Sequence, residues 1–346
     1  MTIRISWKRA MVALLVIGGA GLLFAWSGAM QISASSGHWR ITDWFLHWTM
    51  RNSVRTYAWA SEPDSVRDDS GLVSAAGHFR QACAVCHGAP GVRPSPVMQH
   101  ATPPAPDLAV NAAKWRDREL FWILQHGVKF TGMPAWPTDT RPDEVRRMVA
   151  FVRRLPTMTP AQYRALTQEE DTRPLPGIRP AVLAVCTGCH GTDGRGRGQG
   201  DIPVIAGQKA SYLREALGRY ATGERKSGIM QTAAATLTGG EIDALARHFA
   251  AMPGLEDSAL TDPMLTRSDP ARQLPACTGC HAPGKAAPII AGQKARYVAD
   301  RLHAWQGEET EIDARKPHAT MPVIARRIGR DRIDAVAAAV AGKDAH

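Results

Sequence analysis

Every cysteine in this chain is used in the same way. The six thiols fall in three pentapeptides, CAVCH at 83–87, CTGCH at 186–190 and CTGCH at 277–281. Each places two sulfurs two residues apart with an imidazole directly behind them, so the fold must offer each segment a partner that takes all three groups together. A disulfide between such close neighbours is strained and does little to hold a domain. Zinc would draw three ligands from each segment and leave every site short of a fourth.

The pattern that accounts for all three groups is covalent haem attachment: the sulfurs add to the porphyrin vinyl groups and the histidine lies beneath the iron. Cys83, Cys86 and His87, then Cys186, Cys189 and His190, then Cys277, Cys280 and His281 are therefore expected to hold three haem c groups. The sixth iron ligand decides between an electron carrier and a catalyst, and a methionine thioether both raises the potential and closes the open face.

In the first unit HGVKFTGMPAWP sets Met133 between glycine and proline, in a segment unsuited to regular helix and similar to the methionine loop of single-haem cytochromes c. Met98 is its rival, and Met148 falls within a helical stretch. GERKSGIMQTAAATL offers Met230 to the second site, with Met252 as the alternative. KPHATMPVIARRI offers Met321 to the third, while Met264 reads as linker, and His303 or His318 could give bis-histidine ligation instead.

AMVALLVIGGAGLLFAWSGAM, residues 10–30, has Ser27 as its one clearly polar side chain and as a helix would span about 31 Å, enough to cross a bilayer. Arg4, Lys8 and Arg9 ahead of it place the N-terminus in the cytoplasm and the rest on the far side. A retained anchor is the favoured reading. Ser27 and Ala29 also fit a cleavable signal, which would release the same domains into the periplasm. HWRITDWFLHWTMRNSVRTYAWA, just after it, is rich in Trp, Phe, Tyr and Arg, a composition that suits either the water–lipid interface or a helix packed on the first domain.

The net charge is +10, and residues 1–60 hold six cations, Arg4, Lys8, Arg9, Arg40, Arg51 and Arg55, against Asp43, so +5 sits there and +5 elsewhere. Six propionates from three haems would bring that remainder to roughly −1. Without a basic stripe interleaved with aromatics, no nucleic-acid partner is expected.

IPVIAGQKASYLREAL at 202–217 and APIIAGQKARYVADRL at 287–302 are copies of one unit. Together with CTGCHGTDG and the methionines that follow, they make residues 175–346 resemble the two-haem cytochromes c of the c-four type. CAVCHGAPG and GMPAW make residues 70–157 look like another class I cytochrome c domain. The third unit departs from the family in lacking GTDGRGRGQG and in carrying the acidic GEETEID. The resemblance implies that a proline carbonyl orients each proximal histidine. Pro203 and Pro288 occupy the matching positions, and Pro106 is a weaker match. Tyr212 and Tyr297 read as core residues.

Amphipathic runs at three- and four-residue spacing close each unit, in PDEVRRMVAFVRRL, TGGEIDALARHFAAM and GRDRIDAVAAAVAG, and no long alternating strand pattern competes with them. The expected architecture is all-α: an N-terminal transmembrane helix followed by three class I cytochrome c-like domains. Its parts are a signal-anchor at 1–35, an interfacial aromatic linker at 36–69, domains at 70–157, 175–254 and 255–346, and a linker at 158–174.

The resemblance implies a triheme electron carrier on the periplasmic side of a bacterial inner membrane. It would pass single electrons from a quinol-oxidising complex or dehydrogenase to a terminal oxidase, with no catalytic residue of its own. The alternatives are the cytochrome subunit of a periplasmic alcohol or aldehyde dehydrogenase, and a peroxidase or reductase with one open-face haem.

Overall fold

The computed structural model describes residues 6–61, 67–167, 174–255, 259–282, 284–306 and 320–342. Among them the chain is helical, and β pairing is limited to the isolated bridges Ala89–Val92 and Asp269–Leu274. The acidic GEETEID segment and His318 lie outside the described residues.

The first helix runs Trp7–Trp26, 20 residues with none buried, and is long and apolar enough to cross a membrane. It begins three residues before the apolar run and stops at Ser27, whose hydroxyl turns back to the Phe24 carbonyl at 2.7 Å. The aromatic segment forms a second helix, Arg40–Ser61. Its later half packs on the first bundle: Val54 and Ala58 are buried, and Tyr57 stacks on Trp122 with ring centroids 6.0 Å apart. Its earlier half leaves Trp44 and Trp48 exposed and stacked on each other. The later half thus follows the packed-helix reading of this segment.

Three main hydrophobic cores follow, with a small fourth cluster of Val204, Ala206 and Leu255. The first gathers Phe79, Phe121, Met148, Phe151 and their neighbours between the helices Leu72–His78, Asp117–His126 and Pro142–Arg154. Pro142–Arg154 is a well-specified helix, with proline at its start, Asp143 and Glu144 in the first turn and Arg153 and Arg154 in the last. Val145, Met148, Val149 and Val152 recur at helical spacing and are wholly buried or nearly so.

The second core lies between Pro180–His190, Ala210–Ala221 and Gly239–Ala250, around Leu183, Leu213, Leu245 and Phe249. The third lies between Ala295–Gln306, Thr320–Arg327 and Ile333–Ala341, around Leu302, Ile328 and Ile333.

The repeated IAGQK segments join the second and third bundles reciprocally. Gln208 donates to the Ile289 carbonyl at 2.8 Å and accepts from the Ile289 N–H at 3.0 Å. Gln293 does the same to Val204, at 2.9 and 2.8 Å. Each side-chain amide thus satisfies both backbone groups of one residue across the boundary, buried Val204 or half-buried Ile289, at about 1 kcal/mol net per hydrogen bond. The lysines behind them repeat the exchange: Lys209 donates to the carbonyls of Lys285 and Ala287, and Lys294 to those of Gly196 and Gln199. A duplicated sequence has become a pseudo-twofold interface.

Candidate haem centres

The first attachment segment ends a nearly continuous helical run. Leu72–His78 passes through one π turn, Phe79–Cys83, into the single turn Ala84–His87. The wider turn rotates Cys83 and Cys86 relative to the helix that leads in, and such bulges gather at functional sites. His87 Nδ1–H donates to the Pro106 carbonyl at 2.7 Å. That bond fixes the tautomer, leaving Nε2 with its lone pair available to a metal.

Met133 sits in irregular chain, with its N–H donating to the Thr131 hydroxyl at 3.0 Å and its carbonyl accepting from the Val128 N–H at 3.1 Å. It packs with Cys83 on the edge of the first core. The cavity beside His87, about 420 Å³, is walled by Phe79, Leu108, Leu155 and Met158, and Met133 is not among its walls. Met148 is fully buried in the core, as its helical setting requires.

The second and third attachment segments open into one cavity of about 730 Å³. Cys186, Cys189, His190 and Met230 line it together with Cys277, Cys280, His281 and Met321. His281 Nδ1–H donates to the Pro288 carbonyl at 2.8 Å. Burial pushes the His190 ring down to about 4 although the Pro203 carbonyl acts in the opposite direction, and His190 Nδ1 makes no well-aligned hydrogen bond. Burial also lowers His281 against the pull of Pro288. Both rings are therefore neutral near pH 7, the form that binds metal. His303 is exposed on the outer side of its helix and does not line the cavity.

Burial pushes the Cys83 and Cys186 thiols up to about 12 and Cys189 to about 11. These are not the low-pKa thiolates of a dithiol oxidoreductase, and none of the six cysteines is in a disulfide.

The shared cavity also fits the acidic side chains of a haem. Arg225 turns into it, donates to the Tyr212 hydroxyl at 3.0 Å and lies over the rings of Tyr212 and Tyr220 at 5.8 and 4.8 Å. Tyrosines surround this guanidinium in place of a carboxylate. Arg301, from the third unit, lies over the Trp305 ring at 4.9 Å, and its buried Nε has no hydrogen-bond partner among the described residues. Two cations without carboxylate partners among the cavity's walls are what the propionates of buried porphyrins require. Tyr212 and Tyr297 line this cavity too, so they are wall residues as well as packing residues. Arg225 and Arg301 carry no motif in the sequence, and Ala216 stands in the second unit where Arg301 stands in the third.

The first bundle touches the second attachment site directly. A Cβ built at Gly77 would stand 2.8 Å from Cys189 Sγ, so only glycine allows this approach. Close by, the Ser74 hydroxyl donates to Asp201 at 2.7 Å.

Helical bundles that bring paired thiols and an oriented imidazole to apolar cavities define a haem-binding class of protein. Residues 72–152 match the family model for cytochrome c oxidase, cbb3-type, subunit III, and residues 181–262 the model for cytochrome c. The chain belongs to the c-type cytochromes, electron-transfer proteins with covalently bound haem c. Over 175 residues it is 34% identical to the thiosulfate dehydrogenase electron acceptor of Stutzerimonas stutzeri, covering 46% of this chain and 79% of that protein. It is 29% identical to cytochrome c4 of Pseudomonas aeruginosa over 175 residues, 47% of this chain and 85% of that one. The crystal structure of reduced recombinant cytochrome c4 from Pseudomonas stutzeri superposes on 47% of the chain and 95% of its own, at 26% identity and a TM-score of 0.40.

Proposed function

We propose that the chain is a membrane-anchored triheme conduit in the periplasm, taking single electrons from a dehydrogenase and delivering them to a terminal oxidase. Its domains are 70–157, 175–254 and 255–346, held to the bilayer by the helix within 1–35. The axial pairs are His87 with Met133, His190 with Met230 and His281 with Met321, and the cysteine pairs anchor one haem c each. Pro106, Pro203 and Pro288 orient the three imidazoles.

The observation that carries this reading is the continuity of the three attachment segments. The second and third share a cavity, and the opening helix of the first abuts Cys189 at Gly77. Bound haem supplies the one-electron chemistry, and the chain holds, insulates and orients each group. The likeness of about half of the chain to a thiosulfate dehydrogenase electron acceptor favours a dehydrogenase of reduced sulfur compounds as donor. The match of the first bundle to an oxidase subunit family favours that bundle as the exit. It also packs against the helix that follows the apolar span, next to the membrane.

Mass spectrometry of the denatured chain is expected to show three haem additions, and a redox titration of the purified protein three one-electron steps. Carbon monoxide should leave the reduced spectrum unchanged, because every iron has two protein ligands. A mass with two additions, or a carbon monoxide adduct at one iron, would replace this reading with a diheme carrier or a haem enzyme.

A further inference from the structure

The structure assigns to Glu144 of the first bundle a positioning role for Met230 of the second. Met230 lies third in Gly228–Ala234, a seven-residue helix too short to hold itself in place. Its first-turn amides need partners, and the domain next door supplies them. Glu144 Oε2 accepts from the Gly228 N–H at 2.7 Å and the Ile229 N–H at 3.4 Å. The Ser227 hydroxyl accepts from the Met230 N–H at 3.1 Å and donates onward to Glu144 Oε1 at 2.6 Å. One carboxylate therefore holds all three amides, two directly and Met230's through Ser227.

Glu144 cannot drift. It is 2% exposed, Arg141 pairs with it at 3.1 Å, and Trp136 Nε1–H donates to it at 3.2 Å. Trp136 in turn closes on Gly228 so tightly that a Cβ there would fall 2.2 Å from Nε1. Ile229 packs on the core of the first bundle. The residues before Met230 are thus clamped by the first bundle while the Met230 side chain lines the cavity with His190. Docking of the first bundle fixes where the second thioether stands, and so sets the ligation and potential of that haem.

This inference rests on Met230 being the sixth ligand of the second iron, and the experiment separates the two claims. In the full-length holoprotein, Met230→Ala should remove one of the methionine–iron signals near the red edge of the oxidised spectrum and lower one of three midpoint potentials. Glu144→Ala should weaken that same signal and move that same potential in that direction, leaving the signals of the other two irons and the haem content unchanged. Glu144→Gln, which keeps one acceptor oxygen, should fall between wild type and Glu144→Ala. Should Glu144→Ala fail to assemble, Ser227→Ala breaks the relay from the second bundle's side and should give the partial loss alone. A folded Glu144→Ala protein with the Met230-dependent signal and potential intact overturns the positioning role and leaves the ligation standing. A Met230→Ala protein with every methionine signal intact overturns both.

Discussion

Arg225 brings a charge to the shared cavity with tyrosine rings and a tyrosine hydroxyl, in place of a carboxylate, as its partners. A fixed cation beside a haem disfavours the oxidised, more positive iron. Arg225→Gln keeps much of the side chain's bulk and its ability to donate to Tyr212 while removing the charge. The potential of one haem in the C-terminal pair is expected to fall by about 59 mV, a tenfold change in a one-electron equilibrium. An unchanged redox titration would show that the charge lies too far from either iron to matter. At this scale the sequence was most legible where chemistry needs adjacent residues: Cys83, Cys86 and His87 specify an attachment site in five positions. Arg225, Arg301 and Glu144 were not legible, because each acts on atoms from distant parts of the chain.

Helices show the same division. The apolar period of PDEVRRMVAFVRRL located Pro142–Arg154 and its buried stripe. Its polar face, with Asp143, Glu144 and Arg147, has the composition of a solvated surface yet lies between bundles, because a charged stripe on one helix does not reveal what opposes it. In the second unit TGGEIDALARHFAAM was readable as an amphipathic helix, and the structure adds its start, where Thr238 and Glu241 exchange the two bonds of a capping box. Arg179, one residue before the attachment helix Pro180–His190, grips the same carboxylate through two nitrogens at 2.6 and 3.0 Å. Glu241 thereby clasps the starts of two helices, and the Arg179 bonds, then the Thr238 amide, hold its carboxyl down at about 2. Because the folded value lies below the ordinary one of 4.5, the clasp contributes its full stability above that pH. The contribution is lost as pH falls toward 2. Glu241→Gln should therefore be less stable at pH 7, with the difference closing through that window in thermal melts. A gap that stays constant down to pH 2 would assign the loss to packing alone.

On the scale of the whole molecule, Arg147 joins all three bundles. Its guanidinium, 5% exposed, reaches Asp68 at 3.3 Å and Asp143 at 3.5 Å on its own side, Asp201 of the second unit at 3.6 Å and Asp300 of the third at 3.1 Å. Asp201 is almost wholly buried, so removing the cation strands a desolvated carboxylate among three others. Arg147→Met preserves volume and should weaken the docking of the first bundle by about 3–5 kcal/mol, the cost typical of breaking a buried pair from one side. The expected readout is a larger radius of gyration by small-angle scattering with three haems retained. Acid should not act through every carboxylate alike. Burial pushes the Asp300 carboxyl above its ordinary value despite Arg147 and Arg296, so its ionised form costs the docked state and protonation as pH falls relieves that cost. Burial also raises Asp143, but Arg141 and then Arg147 overcome it and hold the carboxyl at about 2. Asp143 therefore stabilises the folded state fully above the ordinary 3.8, and this is lost only as pH drops through about 2. The wild-type protein should therefore keep its radius as Asp300 protonates and expand only as pH nears 2, where the contribution of Asp143 is lost, whereas Arg147→Met should be expanded already at pH 7. Equal radii for the two proteins at neutral pH would mean that the Gly77 approach and the Glu144 cluster suffice to hold the bundles together.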